Sequence, residues 1–219
     1  MFGSSGFLFR SNKLMYDQAT RSLWHHMQGE PVVGPLADSG IRLKPGPVVT
    51  TTWREWQRLH PRTRVLDIAT GHVRDYTPGR PYGAYYASPE TMFPVFPRSP
   101  RLAAKDLVFV LRLDPHRKVY PLAGFDRAAV VNDRVGGTPV VIVGHAPTRT
   151  VRAWERGDRR FRAGADRDTL IAEGTGEAWR VEEEALVAAD GRRLRRVAGH
   201  LAYWFGWFAF HPDTPVHEP

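Results

Sequence analysis

Apolar residues in this chain gather in short runs of strand length. Leu107–Leu113 is apolar at every position but one, and Pro139–Val143 is rich in β-branched residues. Ala128–Val131 is a similar run, and the segment Asn132-Asp133-Arg134-Val135-Gly136-Gly137 between the last two reads as a hairpin connection, with Gly where positive φ is needed. Val151–Trp154 and Arg160–Phe161 bracket a second turn signal, Gly157-Asp158. Near the start, Phe7–Phe9, Lys13–Tyr16 and Ser22–Trp24 read as short strands. One segment has helical spacing instead. Trp53, Trp56 and His60 share a face over Trp53–Leu59, Thr52 and Glu55 have capping-box spacing, and Pro61 stops the helix.

The chain also matches itself. Shifted by 151 positions, Gly40, Arg42, Leu43, Trp53, Trp56, His60, Pro61, Thr63 and Val65 fall on Gly191, Arg193, Leu194, Trp204, Trp207, His211, Pro212, Thr214 and Val216. That is nine identities in 26 ungapped positions, where random matching gives about one or two. With small gaps, Asp17-Gln18-Ala19-Thr20 to Trp24 matches Glu173-Gly174-Thr175 to Trp179. The match turns an ambiguous run into an expectation: Tyr203–Phe210 should hold a short buried helix like Trp53–Leu59.

The expected fold is therefore β-rich α+β, in two duplicated halves. Each half is a small antiparallel sheet closed by one short aromatic helix. The divisions are a partial first repeat over 1–66, an ordered Pro/Gly/Tyr-rich linker over 67–105 that packs with its Tyr and Phe side chains, and a complete second repeat over 106–219. The first half lacks the lead-in that the second has over 106–160, so an uncovered sheet edge is expected there.

Composition narrows the function. There is no cysteine among the 219 residues, which excludes disulfides, catalytic thiols and thiolate metal sites within this sequence. The formal net charge is +8, and of the 31 basic residues 27 are Arg. They are spread along the chain with short clusters at Arg156–Arg162 and Arg192–Arg196, so no nucleic-acid partner is expected. The longest apolar run, Leu201–Phe210, is half of what a membrane span needs.

The stretch from Phe2-Gly3-Ser4-Ser5-Gly6 through Ser11–Asp17, Ser22-Leu23-Trp24 and Gly34-Pro35-Leu36 to Thr51-Thr52-Trp53 and His60-Pro61 resembles a bacterial family, the domain of unknown function numbered 3179. So do Tyr120-Pro121-Leu122, Val131-Asn132-Asp133, Gly136-Gly137 and Tyr203-Trp204-Phe205-Gly206-Trp207 to His211-Pro212-Asp213-Thr214. The resemblance implies a preceding segment ending in a Cys-Pro-Xaa-Cys-type motif, and a secretory or lipoprotein signal in many members. Gly144-His145-Ala146-Pro147-Thr148 stands at the equivalent place in the second copy, without cysteine. On that basis the chain is expected to be a truncated product, extracytoplasmic if it is a fragment and cytoplasmic if Met1 is the true start.

Two roles are in view. One is a cell-envelope binding or redox-accessory scaffold whose cysteine chemistry lies outside this sequence. The other is a cysteine-independent enzyme with a site between the halves. Candidate catalytic residues are His60, His211 and Asp17, and candidate ligand-binding residues are Trp53, Trp56, Trp204, Trp207, Asn132 and Asp133. For each, an ordinary structural role competes: helix stops for the His-Pro pairs, core for the tryptophans, turn-capping for Asp17, and turn chemistry for Asn132-Asp133. The Glu182-Glu183-Glu184 run reads as a solvated acidic face. No metal or cofactor is expected: no His, Asp or Glu set has metal-ligand spacing, and His25-His26 are adjacent rather than one helical turn apart.

Overall fold

The computed structural model describes residues 1–77, 79–126 and 129–218. The start of the expected strand at Ala128 and one linker position, Pro78, lie outside them.

The chain begins with an antiparallel meander: β1 (Phe2–Phe9), β2 (Asn12–Asp17), β3 (Leu23–His25) and β4 (Glu30–Val33), hydrogen-bonded in that order. Strand β1 is an open edge, and Phe7 and Leu8 on it are exposed. After an extended stretch comes α1 (Trp53–Leu59), then the segment 67–105, whose regular structure is the short helix α2 (Gly83–Ala87). Strands β5 (Leu107–Leu113) and β6 (His116–Pro121) form a hairpin, and β7 (Val130–Val135), β8 (Thr138–His145) and β9 (Thr150–Glu155) form a second sheet. A five-stranded meander follows: β10 (Phe161–Ala163), β11 (Thr169–Ala172), β12 (Ala178–Val181), β13 (Ala185–Ala188) and β14 (Arg193–Arg195). Finally β15 (Gly199–Tyr203) pairs with the outer edge of β5 and leads directly into α3 (Trp204–Phe208).

The β-rich reading holds, but the later half is not one small sheet with a helix. It contains three sheets, layered so that the middle strands have two dry faces. Phe109 and Leu111 of β5 pack against Val140 and Ile142 of β8, while Val108 and Val110 turn the other way, onto Trp204 and Trp207 of α3. On β8, Val141 points away from β5 and joins Trp154, Phe161, Leu170, Trp179 and Leu186. Successive strand residues point to opposite faces, so a strand between two cores must be apolar at every position. This is why Leu107–Leu113 and Pro139–Val143 are runs rather than alternations. Close approach also fixes a glycine: a Cβ at Gly144 would lie 2.3 Å from the Phe125 ring.

Three local expectations change. The β7–β8 connection is two residues, Gly136-Gly137, both at positive φ, as a tight hairpin turn requires. Asn132 and Asp133 therefore lie in strand β7, not in the turn. They stay in the strand because Lys118 and Tyr120 on β6 hold Asp133 from the side, and Asn132 clamps the Phe161 backbone. Glu183 is not a solvated charge, since it bridges Arg152 at 2.6 Å and Arg196 at 2.9 Å. In 67–105, Tyr82, Tyr86, Phe93 and Phe96 are exposed, while Val95 is buried against Ala209 and Phe210 and Leu102 packs against the core around Trp204 and Trp207.

The matched Trp-Xaa3-His-Pro-Xaa-Thr elements have the same local geometry. Trp56 Nε1 donates to Thr63 Oγ1 at 2.8 Å, and Trp207 Nε1 to Thr214 Oγ1 at 3.0 Å. The imidazole of His60 lies over Trp56 with ring centres 4.0 Å apart, that of His211 over Trp207 at 4.1 Å. Surroundings differ. Trp204 and Trp207 are fully buried, whereas Trp53 is 46% exposed and the buried residue of α1 is Glu55. The Thr52 half of the capping box forms, its Oγ1 accepting from Glu55 N–H at 3.3 Å. The Glu55 carboxylate does not turn back to it, because Arg58 and Arg167 hold it. Trp207→Phe should therefore cost about 2–4 kcal/mol, through lost volume and an orphaned buried Thr214 hydroxyl, and Trp56→Phe less than about 1 kcal/mol. Urea unfolding followed by circular dichroism distinguishes these values, and equal costs would mean the two elements are equally buried.

Candidate histidine and arginine site

The β2–β3 hairpin is stiffened by its own turn. Asp17 accepts from Thr20 N–H at 2.6 Å, from Thr20 Oγ1 at 2.5 Å and from Trp24 Nε1 at 2.9 Å. These bonds, first those from the Thr20 hydroxyl and Trp24, hold its carboxyl at about 2, below the ordinary range. Asp17 is thus fully engaged inside the hairpin, and its work there is to aim β3. The strand ends in His25, which is completely buried. Its ring stacks on Phe210 at 3.8 Å and meets the edge of Phe9 at 5.9 Å. Neither ring nitrogen has a protein partner. His26 points outward, with Nδ1 against the Lys13 carbonyl at 2.8 Å.

Three other elements converge here. From β5 comes Arg112, donating to the Met27 carbonyl at 3.1 Å. From β15 comes His200, edge-on to Trp207 at 5.9 Å. Past α3 comes His211, whose Nδ1 meets the Arg117 guanidinium, leaving a buried Nε2 without a partner. Because Arg117 can only donate, Nδ1 accepts and the His211 proton sits on Nε2. Arg10 closes the side, bonded to the Ala209 carbonyl at 2.6 Å and placed over the rings of Phe9 and Phe210. Among the described residues, the one carboxylate within ion-pair distance of these arginines is Asp114, 3.6 Å from Arg112.

The imidazoles are consequently neutral. Burial, then His26, His211 and Arg10, push His25 down to about 3. Burial, then Arg112 and His26, push His200 to about 4, and burial, then Arg117 and Arg112, push His211 to about 4. The His25–Phe210 stack stands between two cavities. One, of about 380 Å³, is lined by His25, Trp24, Met15 and Leu43 with Arg112 and Lys44. The other, of about 350 Å³, is lined by His116, Arg117, Phe210 and His211.

Of the residues singled out from sequence, His211 belongs to this cluster. His60 does not share its contacts: it lies at the end of α1 over Trp56. The four tryptophans do not form one pocket. Trp204 and Trp207 are core, Trp204 also lining a cavity of about 200 Å³, while Trp53 and Trp56 lie on α1. Asn132 exchanges two hydrogen bonds with the Phe161 backbone, 2.6 and 2.8 Å. Asp133 accepts from Lys118 at 2.7 Å and Tyr120 at 2.9 Å, with His217 Nδ1 at 3.6 Å. Burial pushes the Asp133 carboxyl up, but Lys118, the Arg134 N–H and Tyr120 outweigh it and hold it low. Sequence reasoning missed His25, Arg10, Arg112 and Arg117. Their partnership is tertiary, and the one local sign was an imidazole pair whose spacing is wrong for a metal. Among the described residues no three His, Asp or Glu side chains are grouped to hold a metal ion, and no helix is long and apolar enough to cross a membrane.

The sequence profile of the family described as "Protein of unknown function (DUF3179)" matches residues 1–214. The chain belongs to this family. No curated protein and no solved structure matched it.

The depressed histidines make stability depend on pH. Below its ordinary value of 6.5 each binds a proton in the unfolded chain but not in the folded one, so stability is full above 6.5 and falls as pH drops. For His25 the loss is about 1.4 kcal/mol per pH unit between roughly pH 6 and 4. His25→Phe, which keeps the stack on Phe210, should lessen the slope by that amount in urea titrations at pH 6, 5 and 4. An unchanged slope would mean His25 protonates freely in the fold.

Proposed function

We propose that the chain is a binding scaffold, the first of the two roles anticipated from sequence, and that it holds a small anionic molecule with an apolar body in the cavity beside His25. The observation that carries this reading is the completely buried His25 ring, without a protein partner at either nitrogen, in the wall of a 380 Å³ cavity. Trp24, Met15, Leu43 and Phe2 offer apolar surface there, and Arg112 and Lys44 supply positive charge. A neutral imidazole can donate one hydrogen bond and accept one, and burying both unmade is costly. Pockets with this balance of apolar wall and few polar groups are the usual small-molecule sites. A setting in the cell envelope rests on the family resemblance alone. The enzyme reading needs an acid beside one of the candidate imidazoles, and Asp17 is committed to Thr20 and Trp24.

Isothermal titration with octanoate, benzoate and indole-3-acetate tests the proposal, with the corresponding amides as uncharged controls. At least one acid should bind saturably, and Arg112→Gln and His25→Phe should each weaken it by about tenfold or more. Equal affinity for acid and amide, or no binding of any acid, refutes the anion-binding reading.

A further inference from the structure

A second polar enclosure lies on the opposite side of the central sheets, where α1 crosses the loop joining β8 to β9. Thr52 N–H donates to the Thr148 carbonyl at 3.2 Å, and the Thr51 and Thr150 hydroxyls meet at 2.9 Å. Arg58 reaches over to Asp168 with two bonds, 2.6 and 2.9 Å. Beneath this seam is a cavity of about 60 Å³. Arg152 and Trp154, two apart on β9, both line it. Trp154 is fully buried and its Nε1–H has no protein acceptor. Arg152 is 8% exposed; its Nη2 is bonded to Glu183 at 2.6 Å, but its Nε–H has no acceptor.

Both unmatched groups are donors, so a matching occupant must accept. A cation is excluded by the same guanidinium that lacks an acceptor. The two carboxylates in the lining are already neutralised: Glu55 by Arg58 and Arg167, Asp168 by Arg58. The volume equals the liquid share of about two waters, which suits a carboxylate or bicarbonate and little more. Such an ion offers several lone pairs and, when ionised, few or no donors of its own. We infer that this cavity is a binding site for a small planar oxyanion of formate, acetate or bicarbonate size, held between Trp154 Nε1 and Arg152 Nε. The site is independent of the His25 cavity.

Nuclear magnetic resonance reads it directly. The Trp154 indole N–H is assigned by its loss in Trp154→Phe, and the protein is titrated with sodium formate, acetate and bicarbonate at ionic strength fixed with sodium chloride. One of these should move that resonance saturably while the other indole signals stay in place. Arg152→Lys, which keeps a charge for Glu183 but removes the Nε donor, should weaken the response by about tenfold. His25→Phe should leave it unchanged, so failure here and failure of the His25 reading are separable. No shift at about 100 mM of any of the three, a shift that chloride reproduces, or persistent water cross-peaks to the indole proton at the highest oxyanion concentration would overturn the inference.

Discussion

Strands β5 and β8 have no face in water. Side chains of β5 alternate between α3 on one side and β8 on the other, and β8 alternates between β5 and the five-stranded meander. Each can exist only between two covering layers, so the layers cannot be assembled independently. That requirement places α3. Its tryptophans must seal Val108, Val110 and Val119, and the turn after it, fixed by the Trp207–Thr214 bond, must then leave the helix at His211. The position of His211 next to Arg117 follows from core packing before any function is considered.

The first meander meets this framework through a polar and aromatic seam. Asn12 donates to the Gly206 carbonyl at 3.2 Å, Arg10 to that of Ala209, and Phe9 and His25 pack on Phe210. A seam made of guanidinium groups over rings and imidazoles stacked on rings tolerates polarity without much water. It also concentrates positive charge, because Arg10, Arg112 and Arg117 gather there with Asp114, 3.6 Å from Arg112, as the one carboxylate within ion-pair distance among the described residues. Burial first, and then this charge, keeps the histidines neutral, and an anion is the occupant that such a seam favours. The binding proposal therefore grows from the way the two parts are joined.

Much of the architecture was legible in the sequence. β5, β9 and α1 fall where apolar runs and the Thr52 cap put them, since those signals are local. The Asn132-Asp133 pair misled because its residue types favour turns, and only tertiary partners, Lys118 and Tyr120 on one side and the Phe161 backbone on the other, keep it in a strand. Glu183 misled for the same reason: an acidic triplet looks solvated until two buried arginines face it. At the candidate site, His211 was visible as half of a repeat. His25 was not, because its significance depends on Phe210, Arg10 and Arg112, which no spacing rule links to it.

The repeat carries an argument beyond the residues it named. Two segments of Trp-Xaa3-His-Pro-Xaa-Thr make the same indole-to-hydroxyl bond and the same imidazole-on-indole stack, though one is sealed in a core and the other borders solvent. Geometry that survives such a change of surroundings is specified by the segment itself. We propose common descent from one unit as the origin of both. Under that proposal the chemistry lies where the copies diverge: Arg117 meets the imidazole of His211, and Glu55 of α1, standing where α3 has Gly206, lines the second cavity with its partner Arg167. The second cavity then adjoins α1 through Glu55, whereas the His25 cavity is framed by the first meander and Arg112 of β5, so the two sites owe their specificity to different neighbours.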